Sequence, residues 1–256
     1  MIHETAVISK GAQLADDVTI GPYSIIGPDV SIASGTIIES HVLITGRTSI
    51  GQDNHIYSFS SIGDHPQDMK YKGEDTELEI GDRNTIREYC TINKGSIQDT
   101  GVTRLGNDNW IMAYVHLAHD CQIGNNTIFA NNTTLAGHVE VGDYAIFGGF
   151  SGAHQFCKIG CHSFLGMYSG VSRDLPPYVI VTGQPAIPRG INLEGLKRRD
   201  FNPDQIRNIK TAYKYLYKSE LRLEEAQEKI SGLNEVSNEL QVMINFLKAS
   251  SRGIVR

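Results

Sequence analysis

Three histidine-bearing stretches recur at one spacing. Leu117, Leu135 and Ala153 lie 18 residues apart, with His116 and His119 beside the first, His138 just after the second and His154 directly after the third. Asp120 adjoins His119, Gly137 lies 18 residues beyond His119, and Gln155 a further 18. If 18 residues make one circuit of the chain, His119, Gly137 and Gln155 stack on one edge. Asp120, His138 and Phe156 then stack beside them, all within about two strand spacings. Such a set suits acyl transfer. An imidazole takes a proton from an attacking hydroxyl near neutral pH. The neighbouring carboxylate orients the ring and stabilises its charged form. A glycine N–H, unshielded by any side chain, can meet a developing oxyanion. No Ser or Cys nucleophile is needed, so transfer is direct. Metal ligation is the competing chemistry for clustered histidines. The His–Asp–Gly set fits a base and an oxyanion donor better, and we expect neither metal nor cofactor.

The circuit follows from the repeat that carries these residues. Every sixth position from Ile2 is aliphatic through Ile62, a run of eleven. The phase returns at Ile80, Ile86 and Ile92, then resumes one residue out of step from Leu105 through Val171. Two residues before many of these sits a small or β-branched residue, as at Val18, Thr36, Ser60, Cys121, Thr133 and Ser151. That is the period of a short strand with both marked side chains facing inward. Gly with Asp or Asn follows, as in Gly51-Gln52-Asp53-Asn54, and supplies corners that tolerate positive φ. Three hexapeptides per coil make a triangular prism, a mainly β fold of parallel coils about 40 Å long.

Two stretches break the beat, Asp64 to Glu79 and Asn93 to Arg104, and read as loops thrown out of the scaffold. After Val171 the pattern decays through Pro176-Pro177-Tyr178. From Asn202-Pro203 the period becomes helical, with Asn202 as N-cap and Pro203 as first residue. Ile206, Ile209, Tyr213 and Leu216 mark an apolar stripe, and Arg207, Lys210, Lys214 and Lys218 a basic one. Leu221 to Ile230 and Glu235 to Leu247 read as further helices. The expected division is 1–190 for the prism and 191–256 for a helical bundle.

A net charge of -6 argues against a nucleic-acid partner. No stretch has the roughly 18 apolar residues of a membrane span, and the start carries no secretory signal. Cys90, Cys121, Cys157 and Cys161 form no CxxC pair and read as reduced cytoplasmic thiols.

The runs Ala118-His119-Asp120-Cys121, Asn131 to Val139, His154-Gln155-Phe156, Pro176-Pro177-Tyr178 and Asn192-Leu193-Glu194-Gly195-Leu196-Lys197-Arg198-Arg199 resemble the UDP-N-acetylglucosamine acyltransferase family. The resemblance runs to the closing Ser251 to Arg256. It implies a left-handed prism and a homotrimer with sites between subunits. It implies a cytoplasmic enzyme of lipid A synthesis, moving a (3R)-hydroxyacyl chain from acyl carrier protein to the sugar 3-OH of UDP-N-acetylglucosamine. On this resemblance His119 is the base, Asp120 its partner and Gly137 the oxyanion donor. Gln67, Asp68 and Lys70 contact the acyl chain and sugar nucleotide. His138, His154 and Gln155 line the sugar and acyl site, with His116 grouped beside them. Asn192, Glu194, Arg198 and Arg199 hold uridine and phosphate, for which arginine forks are well suited. Met167 stands where longer-chain members carry a second Gly, and implies a shorter acyl chain. The basic stripe is a candidate dock for the acidic carrier protein. A zinc hydro-lyase, a non-enzymatic solenoid and the N-acyltransferase of the same pathway are the alternatives. The last normally carries an extra N-terminal domain.

Overall fold

The computed structural model describes residues 1–233 and 237–256. Twenty-seven short strands form three sheets of nine, eight and ten strands. Every pairing is parallel except that of Val179–Thr182 with Ile187–Ile191. The chain visits the sheets in rotation, so strand His116–Leu117 lies on face one, Gln122–Ile123 on face two and Ile128–Phe129 on face three. The first edge joins faces one and two, the second joins two and three, and the third joins three and one. The result is a left-handed parallel β-helix capped by helices.

Register explains the six-residue period. His116 pairs with Thr134 and Leu117 with Leu135; Thr134 pairs with Gly152 and Leu135 with Ala153. Each inward aliphatic residue thus sits on its equivalent one coil away, and Ile26, Ile44, Ile62, Ile92, Leu117 and Leu135 are fully buried in one column. The first members depart from this. Ile2 is 49% exposed, and Ile8 and Leu14 are only partly buried, because no coil lies beneath them.

The corners repeat as strictly as the strands. Their last residue adopts positive φ even without glycine, as at Asp120, His138 and Phe156 on the first edge and Tyr144 and His162 on the second. Repeated backbone conformation stacks these side chains at the coil spacing; Tyr89 and Tyr114 lie 4.8 Å apart and 2° from parallel. Inside the second edge, Asn54, Asn84, Asn109 and Thr127 form a buried ladder. Each asparagine Oδ1 accepts from the backbone N–H and side chain of the next. A buried amide that satisfies its neighbour's backbone turns a costly group into a brace.

The excursions are shorter than lost periodicity suggests. Strand Ser61–Asp64 extends to the first loop and Glu77–Ile80 resumes after it, leaving 65–76 outside. The second loop spans 94–101, between Thr91–Asn93 and Val102–Leu105. Leu78 and Thr103 are therefore core residues.

Helices α1 (Leu193–Lys197), α2 (Pro203–Tyr217), α3 (Leu223–Ser231) and α4 (Asn238–Ala249) close the chain. Asn202 caps α2 in a reciprocal box with Gln205. Ile209, Tyr213 and Leu216 are buried while Arg207, Lys210, Lys214 and Lys218 are exposed, as the two stripes require. The expected start of the last helix at Glu235 lies outside the described residues. Among those residues no helix is long and apolar enough to cross a membrane.

Candidate functional site

The first edge presents residues 118–120, 136–138 and 154–156 in successive coils, a direct consequence of the pairing register. Asp120 is almost fully buried at 1% exposure. Its Oδ2 lies 2.8 Å from His119 Nδ1. A carboxylate only accepts, so His119 Nδ1–H is the donor and Nε2 keeps its lone pair. The Ser96 N–H donates to both carboxylate oxygens at 2.9 and 3.1 Å, and the Ser96 hydroxyl donates to Oδ2 at 2.6 Å. Burial pushes the Asp120 carboxyl up, but the bonds from His119 and Ser96 outweigh it and hold the group below its ordinary value.

Gly137 lies directly over the His119 ring. A Cβ at this position would stand 2.6 Å from Cε1 and 2.8 Å from Nε2, so only glycine admits the imidazole here. Among the described residues the Gly137 N–H has no hydrogen-bond partner, while its carbonyl accepts from Phe156 N–H. The middle residue of this corner turns its N–H out of the ladder, and Gly137 itself is buried beneath the His119 ring.

His138 packs edge-on against His119 with centroids 5.0 Å apart, and stacks on Phe156 at 4.4 Å. Its Nδ1–H donates to Asp99 at 3.0 Å, and its Nε2 stands 3.8 Å from Asp120 Oδ2. Ser96 and Asp99 come from the second loop and were not among the expected site residues. The break in period marks their loop, but no spacing rule assigns residues within it. His119, Asp120 and His138 each place one ligand atom within 4.8 Å of the others. The Asp120 oxygens are already taken up by donors from Ser96 and His119, which leaves a poor metal ligand.

A cavity of ≈ 520 Å³ opens on His119 and His138, walled by Gln67, Asp68, Met69, Lys70, Gln98 and Gln155 among others. Gln67, Asp68 and Lys70 of the first loop thus line the same cavity as His119. A second cavity of ≈ 590 Å³ runs across face one from Ala136 and His154 to Phe150 and Tyr168 on the third edge. His154 and Gln155 are neighbours lining different cavities, so the two meet at this corner. His116 sits on face one with Nδ1 2.7 Å from Thr91 Oγ1; burial, then the charge of His119, lowers its basicity. Met167 is 59% exposed on the third edge, next to Tyr168 at the far end of the groove.

The remaining expected residues lie elsewhere. Asn192 caps α1, accepts from Gly195 N–H and donates to the His162 carbonyl on the second edge. Arg199 places its guanidinium 4.5 Å from the Tyr144 ring centroid on that edge. Glu194 and Arg198 are exposed beside it, with Glu194 accepting from Lys197 Nζ. His162, stacked on Tyr144 at 4.8 Å, is pushed down to about 4 by burial and then by Arg199. Within one chain, the whole of face two separates this basic group from His119.

Residues 174–255 match the family model described as UDP N-acetylglucosamine O-acyltransferase, domain 2, and residues 11–46 and 103–137 match the bacterial transferase hexapeptide model. The acyl-[acyl-carrier-protein]–UDP-N-acetylglucosamine O-acyltransferase of Thiobacillus denitrificans is 55% identical over 255 residues, covering 100% of this chain and 99% of its own. That of Herminiimonas arsenicoxydans is 52% identical over 260 residues with the same coverage. The solved UDP-N-acetylglucosamine O-acyltransferase of Moraxella catarrhalis superposes with a TM-score of 0.97 at 45% identity, covering 100% of this chain and 99% of that one.

Because the Asp120 carboxyl is held low by its donors, its pairing stabilises the folded chain. That contribution is complete above the unfolded carboxylate's value near 3.9. It is lost as pH falls through the lower folded value. Asp120→Asn should therefore lower the thermal midpoint at neutral pH, and the gap to wild type should close below about pH 4. Midpoints across pH 3–7 test this; a gap independent of pH would contradict it.

Proposed function

The chain belongs to the acyl-[acyl-carrier-protein]–UDP-N-acetylglucosamine O-acyltransferase family, and from that membership and the first-edge geometry we propose how it performs the transfer that opens lipid A synthesis. The substrates are a (3R)-hydroxyacyl acyl carrier protein and UDP-N-acetylglucosamine. The observation that carries the mechanism is His119 itself. Buried Asp120 holds Nδ1, which leaves the Nε2 lone pair on the same edge as a Gly137 amide that has no partner among the described residues.

His119 Nε2 takes the proton of the sugar 3-OH as that oxygen attacks the thioester carbonyl. The new C–O bond forms and the carbonyl electrons collapse onto oxygen, which the Gly137 N–H stabilises. Asp120, already ionised, offsets the imidazolium charge. Expulsion of the carrier thiolate breaks the C–S bond, and the proton held by His119 passes to sulfur. Asp68 and Lys70, from the first loop, face the same cavity and suit sugar and phosphate groups. The acyl chain fits the face-one groove that starts beside His154 and ends near Met167. Arg207, Lys210, Lys214 and Lys218 form an exposed basic dock for the acidic carrier. Both substrates are cytoplasmic, in keeping with four free thiols.

A homotrimer resolves the separation of His119 from Arg199. Face two carries ion pairs such as Arg104 with Glu79 and Lys158 with Glu140, and suits water. The opposite edge does not: Tyr23, Phe59, Tyr89, Tyr114, Phe150 and Tyr168 are between 45% and 61% exposed, and Trp110 and Ile37 add apolar surface on face three. Placing this third edge on a threefold axis packs face one of one copy against face three of the next. His119 then meets the basic second edge of its neighbour across a shared cleft.

His119→Ala should cost about 10²–10⁴-fold in turnover while the chain still folds, its thermal midpoint lowered only by the loss of one donor to Asp120. Wild-type rates from that variant would refute the base. Mixed and reassembled with Arg199→Ala, it should regain about one quarter of wild-type activity, because random trimers contain that share of intact composite sites. No recovery would mean that each site is built within one chain. Met167→Gly should shift the preferred acyl chain to longer lengths, read by mass analysis of product from mixed hydroxyacyl carriers; an unchanged profile would remove Met167 as the chain stop.

A further inference from the structure

We propose that Asp99 is a positioning residue that acts through His138, a proposal resting on the acyl-transfer reading above. His138 is 7% exposed and held by stacking on Phe156 and by edge contact with His119. These contacts fix the plane of the ring. They do not fix its sense, because an imidazole turned over in its plane has nearly the same shape. The turned ring would place carbon where nitrogen now stands at both positions. Asp99 selects one sense: its Oδ2, 3.0 Å from Nδ1, accepts the Nδ1–H and leaves Nε2 facing buried Asp120 Oδ2 at 3.8 Å.

The loop that presents Asp99 is braced for this. At its neck a Cβ on Gly95 would stand 2.3 Å from the Gly101 carbonyl carbon, so only glycine closes it. The Lys94 N–H donates to the Asp64 carbonyl and the Gly95 N–H to that of Glu77, at the two ends of the first loop. The Lys94 side chain is buried beneath the first loop; its ammonium donates to the Glu74 carbonyl at 3.3 Å and stands 5.5 Å from the Tyr71 ring centroid. Ser96 is anchored on Asp120. One loop therefore orients both partners of the catalytic corner, Asp120 through Ser96 and His138 through Asp99.

The test compares Asp99→Ala, Asp99→Asn and His138→Ala in the full-length protein, with UDP-N-acetylglucosamine and a hydroxyacyl carrier protein as substrates. Asp99→Ala should lower kcat about tenfold with little change in KM for the sugar nucleotide. Asp99→Asn retains an acceptor oxygen and should restore most of the loss. In a His138→Ala background, Asp99→Ala should cost nothing further. Wild-type kcat in Asp99→Ala, no rescue by Asn, or full additivity with His138→Ala would each overturn the proposal. A wild-type chain that transfers no acyl group would instead overturn the acyl-transfer reading itself.

Discussion

The structure depends on one constraint: each coil pairs with the next in parallel, and the register holds at the inward aliphatic positions even where it shifts beside the first loop, between Ile62 and Asp64. A strand pair that slipped by one residue would send the inward aliphatic column to the surface. With some twenty coupled pairs along three faces, no single coil can slip alone. That rigidity has a chemical use. His119 and Gly137 share an edge because Leu117 and Leu135 are paired. Neither group needs a dedicated contact to find the other, and the apolar column that stabilises the prism also sets the distance between a base and an amide.

The same repetition explains why the proposed acyl transfer is placed on a corner. Strand amides are spent in the ladders, so they are not free to bind an oxyanion. A corner releases an N–H outward in every coil, and most corners cover it with a side chain. Glycine in the middle position with histidine one coil below leaves one such amide without a partner among the described residues and places an imidazole beside it. A general feature of the fold thus becomes specific through the side chains at adjacent corners.

The periodic part was legible in the sequence for the reason it is stable. Ile62, Ile92, Leu117 and Leu135 are each one of many equivalent residues, and the eighteen-residue circuit places His119 under Gly137 without reference to any other contact. The aperiodic part was not. Ser96 and Asp99 reach Asp120 and His138 across 24 and 39 residues of sequence, through a loop whose path is set by a glycine neck and a buried lysine. Helical phase also replaces coil phase after Ile191. No count of residues could show that Arg198 and Arg199 stand on a different edge from His119.

On the proposed mechanism, that separation makes the oligomer part of the chemistry and not only of the packing. A parallel prism keeps each edge straight, so residues on different edges stay apart however long the column grows. Adding coils cannot bring an arginine of the second edge to a histidine of the first. Only rotation of a second copy can, and the exposed aromatic third edge supplies the apolar surface that would hold such copies together. The rigidity that fixes His119 against Gly137 is thus the same rigidity that keeps Arg199 on another edge, and the proposed trimer answers both.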